Sequence, residues 1–579
     1  MRTISCSAAR RSLYGILRAS VAAAAIALAL AATAVPVIAQ GDSSLAGRLP
    51  SGTIAYVEWK GAAFLSPAAT RNHFLQLLAD PDATAAEQNL AAEWLAMSRA
   101  TGSHAGSFFA LLRNPAIAGV IETGVPDPAK PAMFLIYDAS GQEALLSTLR
   151  AAQKKNGKAA RESSYTFAKA EVDVRTAGTS STYTTQIGRY FLCADQQSAI
   201  EELITQFQGP RTAKPLREVP EYQQVQKFLG PAGAIQVFLR VNALAEIAAN
   251  QKSAPQARQV VESMHLARIH SAGWSISFEG EATHARGVVF GNTAPGGPFD
   301  IIGASSASFA TQPIAAGSAS FAVSRFDWAA AYRLIRGVAA GAMSPQQASN
   351  VAAVEGMAQG FLGMPIDDAL ALFNGEMARA TTYTEDGTTQ SVIAIAIQRP
   401  NDVLRILRAV VGPMTLSEDS SGETTFLDIA YPYKDPATGM ARRKLYYIAV
   451  TPHLILAAPR KGMLTHAAEA VASAAPPGEA TAAPQASAFG PAYPALRAQL
   501  PRNLSGLMVS DWSRIPLDQL VANLVNQAQA AMKQSSNPHP PDLSFLRGIK
   551  LDAIPRHLHM SVGGWWKDSN GVYFDSYLE

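Results

Sequence analysis

Two closely spaced histidines, His557 and His559, are the first candidates for metal chemistry in this chain. Residues i and i+2 of a β-strand point to the same side of a sheet, so two such imidazoles could reach one ion. His539 precedes the pair and His270 stands in a related context earlier, but no third ligand occurs at a defined spacing. A pair of solvent-facing histidines in a hairpin explains the pattern better, and we predict no metal site.

The acids Glu58 and Glu376 are the residues that a hydrolytic mechanism would use first. General acid–base catalysis needs a group within hydrogen-bond reach of the proton that it moves. Both acids stand at junctions or turns of predicted elements, and their spacing indicates no carboxylate pair. Asp80 and Asp82 begin like a calcium-binding loop, but Ala85 stands where that loop requires glycine, so this site fails.

Signatures of the common enzyme classes do not occur in the sequence. It contains no G-x-S-x-G nucleophile elbow, no S-x-x-K pair, no H-E-x-x-H zinc helix, no Walker loop and no G-x-G-x-x-G turn. Cys193 lies in an apolar strand pattern, which is typical of a buried thiol rather than a nucleophile. We therefore predict no catalytic, cofactor-binding or metal-binding residues and no cofactor.

Two basic clusters are weaker indications of a function. Lys154, Lys155, Lys158 and Arg161 follow a predicted helix, and 442–444 (Arg-Arg-Lys) enter a predicted strand. Solvated faces explain such clusters best, and lysines near a helix C-terminus are also favoured by the helix dipole. Contact with anionic lipid headgroups is the functional alternative.

An internal duplication organises the elements that would position any of these residues. Four segment pairs resemble one another and occur in the same order, with an offset of about 260 residues: 131–153 with 389–411, 188–207 with 445–471, 222–247 with 493–517, and 266–290 with 551–574. We therefore predict two tandem homologous modules.

Each module repeats one series of local patterns. A short apolar strand runs directly into a helix, strands in hairpins follow, and two long strands close the copy. Polar residues stand at the strand–helix junctions as candidate helix caps, and a tryptophan follows three of them as a wedge: Glu58, Asn242, Asp327 and Asp511, with Trp59, Trp328 and Trp512. Ser66 with Pro67, and Ser344 with Pro345, predict helix starts.

Hairpins outnumber strands that alternate singly with helices, so the predicted class is α+β: a mainly antiparallel sheet in each module, with helices packed on one face. The predicted boundaries are a signal peptide or anchor at 1–39, an exported tail at 40–48, a first module at 49–290, a linker at 291–318 and a second module at 319–579, with a flexible loop at 472–488.

The N-terminus indicates export. Four arginines in residues 1–18 precede an uncharged apolar run, which ends at small residues before Gln40. Cleavage by a signal peptidase is the first interpretation, and an uncleaved membrane anchor is the second because the run is long enough to span a bilayer. Arg10-Arg11 is a poorer match to a twin-arginine signal.

The charge balance excludes one class of partner. The formal net charge of the whole chain is +3, and loss of residues 1–39 leaves 44 basic and 45 acidic residues. A near-neutral chain lacks the basic footprint that nucleic-acid binding requires. We predict a periplasmic or extracellular protein that meets the membrane only through an uncleaved N-terminal segment.

Three segments resemble a group of exported bacterial proteins that share a domain of unknown function. That domain opens Leu-Pro-x-x-Thr-x-x-Tyr-Val, and here 49–57 fits this pattern. A later Gly-Glu strand start is matched by Gly375-Glu376, although Asn374 departs from the usual residue, and an apolar strand followed by a helix is matched at 392–407. The first copy has no comparable Gly-Glu. The resemblance implies export and a repeated α+β fold, and it implies no activity.

Three functions remain open from the sequence. A non-catalytic binding or scaffold protein of the envelope, with a partner held in a cleft between the modules, agrees best with the missing signatures. A carrier of an apolar ligand is suggested by 48% hydrophobic and 16% charged residues. A hydrolase whose site is assembled from distant residues is the third.

Overall fold

The protein is of the α+β class and contains one large antiparallel sheet. The computed structural model describes residues 45–81, 114–122, 131–142, 161–208, 214–250, 255–434, 440–474, 489–534 and 551–579, apart from single positions 66, 67, 69, 179, 232, 344 and 552. The predicted helix near residues 82–100, His539 and most of the predicted loop at 472–488 lie outside the described residues. We call the part with strands β1–β10 the first half and the part with β11–β20 the second half.

Among the described residues, ten strands belong to each half. Those of the first half are β1 (Thr53–Trp59), β2 (Ala116–Ile121), β3 (Ala132–Asp138), β4 (Arg161–Phe167), β5 (Ala170–Ala177), β6 (Ser180–Ile187), β7 (Tyr190–Ala194), β8 (Ile235–Arg240), β9 (Ile269–Glu279) and β10 (Ala282–Gly291). Those of the second are β11 (Ser320–Arg325), β12 (Phe373–Tyr383), β13 (Thr389–Ile397), β14 (Thr415–Ser421), β15 (Thr424–Lys434), β16 (Ala441–Val450), β17 (Leu454–Ala458), β18 (Gly506–Asp511), β19 (Met560–Lys567) and β20 (Gly571–Leu578).

The strand pairings follow one order in both halves. Across the first half the strands lie in the order β4-β5-β6-β7-β3-β2-β1-β8-β9-β10, and every pair is antiparallel. The second half has the order β14-β15-β16-β17-β13-β12-β11-β18-β19-β20, also antiparallel. Strands β10 and β20 then pair with each other and join the halves into one sheet.

Helices fill the connections between these strands. In the first half they are α1 (Ala62–Leu65), α2 (His73–Ala79), α3 (Gln197–Gln208), α4 (Pro220–Leu229), α5 (Val241–Asn250) and α6 (Pro255–Ser263). In the second they are α7 (Trp328–Ala342), α8 (Pro345–Leu362), α9 (Ile366–Ala371), α10 (Pro400–Val411), α11 (Lys461–Ala472), α12 (Tyr493–Gln499), α13 (Leu517–Gln534) and α14 (Ala553–His557). Among the described residues, none of the helices is both long and apolar enough to span a bilayer.

The main core lies on one face of the sheet. In the first half α3 and α4 press Ile200 and Val225 against strand residues such as Phe238, all fully buried. In the second half α11 and α12 do the same with Leu464 and Tyr493. Burial of such side chains contributes about 1.5 to 3 kcal/mol each, so these two layers supply most of the stabilising apolar contact.

Helices also pack on the opposite face, which corrects the prediction of helices on one face only. Trp59 points away from Tyr56 because successive strand residues alternate between faces, and it packs on Leu65 of α1 and Leu75 of α2. In the second half Leu404 of α10 covers Leu427 on that same opposite face. Central strands that are apolar on both sides need cover on both sides.

The segments before β1 and β11 are packed parts of the fold. Leu45–Arg48 forms a 3-10 turn, and Leu45 and Ala46 are buried in the first-half core although the sequence suggested a tail at 40–48. The predicted linker at 291–318 contains two 3-10 turns, Pro298–Ile301 and Gln312–Ala315. Ser306 and Leu504 exchange backbone hydrogen bonds, which tie this segment to the second half.

Helix starts differ in part from the sequence prediction. Helix α2 begins after Asn72, whose side chain accepts a hydrogen bond from the Leu75 amide, six residues beyond the predicted cap Ser66, which lies outside the described residues. Asp327 caps α7 as expected, accepting from the Ala330 amide. Asn242 lies inside α5 and Glu58 lies inside β1, so neither is the cap residue that precedes a helix.

Candidate functional site

The hairpin β15–β16 extends beyond its neighbours in the sheet. Its two strands pair from Thr425 opposite Val450 out to Lys434 opposite Ala441. Strand β14 accompanies β15 only as far as Ile429, and β17 accompanies β16 only as far as Tyr447. Among the described residues, no strand flanks the five outermost pairs. At about 3.3 Å per residue the outer hairpin therefore projects about 17 Å from the sheet.

Aromatic and basic side chains share one face of this projection. In the register, Tyr431 lies opposite Lys444 and Tyr433 lies opposite Arg442, and Tyr446 lies on the same face. Tyr431 is 52% exposed, and Tyr433 and Tyr446 are each 36% exposed. The Lys444 ammonium lies 5.3 Å from the centre of the Tyr446 ring, a cation–π distance. We call these five residues the tyrosine face.

The base of the hairpin is fixed by the core. Leu427 and Ile429 of β15 and Val450 of β16 are buried beneath α10 on the side that becomes the tyrosine face further out. Asp428 on the other side forms an ion pair with Lys461 at 3.5 Å. The inner hairpin therefore holds the outer hairpin in a defined direction.

Arg443 and Leu445 occupy the reverse side of the projection, and both are exposed. The outer hairpin thus presents cations on both sides and tyrosines on one. Tyrosine and arginine are enriched among the residues that dominate binding at protein–protein interfaces. Tyrosine buries a large surface at low entropic cost, and arginine donates several hydrogen bonds. This arrangement is suited to an anionic, partly apolar partner surface.

The corresponding hairpin of the first half has different proportions. Strands β5 and β6 pair over five positions, from Asp173 opposite Thr184 to Ala177 opposite Ser180. Strand β4 accompanies β5 out to Thr176, so this hairpin extends only one pair past that neighbour. Its charged residues, Glu171, Asp173 and Arg175, leave one net negative charge.

The acids Glu58 and Glu376 are both buried, at 1% and 2% exposure. Glu58 Oε1 accepts a hydrogen bond from the Ala46 amide at 3.3 Å. Glu376 accepts from the amide and hydroxyl of Thr311 at 2.7 and 2.8 Å and pairs with Arg325 at 3.0 Å. Each carboxylate therefore fastens the segment before the first strand of its half, which is a structural task.

The histidines His557 and His559 do not lie together on a strand, because α14 ends at His557 and β19 begins after His559. His557 Nε2 bonds to Asp80 at 2.9 Å, whereas the ring of His559 packs edge-on against His73 with 5.7 Å between centres. Within the described ranges, no three acids, histidines or cysteines are grouped to hold an ion.

Cys193 lies on β7 and is partly buried. Burial, together with the charge of Asp195, raises the pKa of its thiol to about 11. The thiol is therefore almost fully protonated at neutral pH and is a poor nucleophile, as the sequence indicated. The tryptophans pack as wedges in apolar surroundings: Trp59 beside Leu65 and Trp512 beside Leu77.

The boundary between the halves is a ladder of paired strands and not the cleft that the sequence suggested. Phe228 of α4 packs on Tyr573 and Trp566 across this boundary. His284 Nε2 bonds to Asp575 next to it, with Arg286 at 3.7 Å from the same carboxylate. These contacts join the halves directly.

Of the predicted basic residues, 442–444 belong to the projecting hairpin and Arg161 begins β4, while Lys154, Lys155 and Lys158 lie outside the described residues. Sequence reasoning missed the tyrosines of the tyrosine face. The signal was present as the alternation Tyr431-Pro-Tyr433 in one strand and Arg442-Arg-Lys444 in the next. Only the register shows that these residues share a face.

Comparison with known proteins assigns the chain to no family. No family model matches the chain, and no curated protein matches it. Crystal forms III and IV of TP0453 are similar at a TM-score of 0.23 and 8% identity, over 44% and 42% of this chain and 81% and 79% of theirs. A TM-score of this size does not define a shared fold.

Proposed function

We propose that the protein is an exported, non-catalytic binding or scaffold protein of the bacterial envelope, built from two homologous modules. Its binding surface is the projecting β15–β16 hairpin, and its partner is an envelope protein that presents an acidic segment. Export rests on the basic and apolar pattern of residues 1–39, and it agrees with the resemblance to exported bacterial proteins.

Two observations support the duplication. The strand order of the first half recurs, strand for strand, in the second. The register between β10 and β20 is also that of a two-fold axis: Gly287 lies opposite Phe574 and Phe290 lies opposite Gly571. Segments 287–290 and 571–574 align as Gly-Val-Val-Phe and Gly-Val-Tyr-Phe. The glycine of each segment therefore lies opposite the phenylalanine of the other, which is the reciprocal pairing of an isologous interface.

The tyrosine face is the observation on which the binding function depends. Exposed tyrosines that alternate with cations on an extended hairpin do not serve the core, because the core ends at Ile429 and Val450. Lys444 on this face and Arg443 on the reverse side of the same strand supply charge for carboxylates, and Tyr431 and Tyr433 supply flat apolar contact.

The experiment is site-directed photocrosslinking of the full chain in its native envelope. A benzophenone amino acid replaces Tyr433 in one strain and exposed Thr182 of the first-half hairpin in another. We expect one discrete protein adduct from position 433 and none of that size from position 182. Arg443→Glu with Lys444→Glu should remove the adduct, because the charge attraction becomes repulsion.

Two other exposed cations give the matched control, since Arg217→Glu with Lys227→Glu changes the net charge equally. This variant should keep the adduct. Crosslinks to lipid alone, or the same adducts from positions 433 and 182, would contradict a protein partner on the hairpin.

A further inference from the structure

A cavity of about 130 Å³ lies on the main-core face of the second half. Helix α11, strands β12 and β13 and the segment before β11 enclose it. Its walls are mostly small and apolar, including Ala380, Ala467 and Ala470. His466 and Ala316 line it and are exposed, so the cavity opens on their side.

The first half fills the corresponding space. Helices α3 and α11 each have 12 residues and each begin three positions after a five-residue strand. Counted from the helix start, Leu203 corresponds to Ala467, and Leu203 is fully buried in the first-half core. Phe207 corresponds to Val471, and the Arg48 guanidinium lies 5.6 Å from the Phe207 ring. Of these two positions only residue 467 lines the cavity, and its smaller side chain leaves space where the first half has Leu203.

The lining sets the chemistry of an occupant. The Ser318 hydroxyl donates to the Ala315 carbonyl at 2.7 Å, so its hydrogen is already used. The other polar side chains of the lining are the exposed His466 and the half-buried Thr382. A mostly apolar chamber whose buried polar side chain, Ser318, already donates its hydrogen excludes a charged occupant, because a charge there would lose its hydration without an ionic partner. A cavity of about 150 Å³ in another protein accepts benzene, which sets the size.

We propose that this cavity binds the apolar end of a small uncharged molecule, an aromatic ring or a branched alkyl group, with a hydroxyl or amide directed toward His466. The site is independent of the hairpin, since it lies on the opposite side of the sheet from the tyrosine face. It would give the second half a ligand site at the position that Leu203 fills in the first half.

The test uses the full chain with ¹³C-methyl methionine. Met463 lines the cavity, so its methyl signal, assigned with Met463→Leu, reports occupancy. We expect p-cresol and toluene to shift this signal in a saturable manner, with p-cresol binding more tightly. Ala467→Leu should weaken binding at least about tenfold, because the added isobutyl group occupies the chamber.

Thr465→Leu is the matched control, because residue 465 is exposed on the same helix and does not line the cavity. It should leave the affinity unchanged. If Ala467→Leu does not fold, Ala470→Val narrows the same chamber from its less buried side and should also weaken binding. No saturable shift up to the solubility limit of the probes, or equal binding by the filled variants, would overturn the proposal.

Discussion

The two long hairpins, β5–β6 and β15–β16, occupy the same place in the strand order and differ in what they add to it. The first continues for one pair beyond its neighbour β4 and is negatively charged. The second continues for five pairs beyond β14 and presents tyrosines with cations. The shared inner ladder is needed for the sheet, whereas the outer part of the second is not. The difference separates the residues that make the fold from those that are available for a partner.

Helices α3 and α11, which follow β7 and β17, also occupy the same place in the two halves and differ in how completely they fill the core. Both cover the sheet with alternating turns of buried residues, and Leu203 and Ala467 stand at the same step. A leucine in the first half fills the layer, and an alanine in the second leaves about 130 Å³ open. The effect of filling or emptying this position can therefore be compared between the two halves of one protein.

The largest predicted effect is that of opening the first-half core. Leu203→Ala removes a fully buried isobutyl group, and we expect a loss of about 4 kcal/mol in the free energy of unfolding. The reverse change in the second half, Ala467→Leu, should cost far less, because it fills existing space. Urea denaturation followed by circular dichroism measures both. Equal destabilisation by the two variants would show that the second-half layer is as closely packed as the first.

The next effect concerns the paired strands β10 and β20, where Gly287 and Gly571 occupy symmetric positions. A Cβ at residue 571 would lie 2.3 Å from the Val289 carbonyl oxygen, which is backbone and cannot move aside. At residue 287 the nearest atom is a Trp274 ring carbon at 3.3 Å, which can shift. We expect Gly571→Ala to cost about 2 kcal/mol and Gly287→Ala to be near neutral.

Thermal unfolding of the two single variants is the measurement. The comparison is sharp because both substitutions add one methyl group to symmetric positions of one ladder. A lower melting temperature for Gly287→Ala than for Gly571→Ala would show that the register between β10 and β20 is not the one described.

Much of the fold could be predicted from local pattern. Alternating apolar residues predicted most strands, and repeated segments predicted that the same patterns recur in the second half. The packing of helices on the second face of the sheet could not be predicted. Trp59 and Leu404 are apolar, but the sequence does not show which face of the sheet each of them covers or occupies. Periodicity gives two faces and does not say that both are buried.

Most of the candidate site could not be predicted from the sequence for a related reason. Residues 442–444 form a basic cluster in the sequence, but their relation to Tyr431 and Tyr433 depends on the cross-strand register. The acids Glu58 and Glu376 are candidates for catalysis only by their residue type. Their burial beside backbone amides, which sequence spacing does not reveal, assigns them a structural role.

The smallest predicted effect is on stability, and it tests whether the outer hairpin is dispensable for folding. Tyr431→Ser with Tyr433→Ser should lower the free energy of unfolding by about 1 kcal/mol or less, since only exposed cross-strand contacts are lost. Tyr493→Ser is the contrasting variant, because Tyr493 is 1% exposed in the second-half core and its loss should cost about 4 kcal/mol. The same urea titration measures both, and photocrosslinking from Arg443 tests whether the hairpin variant has lost its partner. A hairpin variant that unfolds as readily as Tyr493→Ser would mean that these tyrosines serve the fold, and the difference between the two hairpins would then have no bearing on binding.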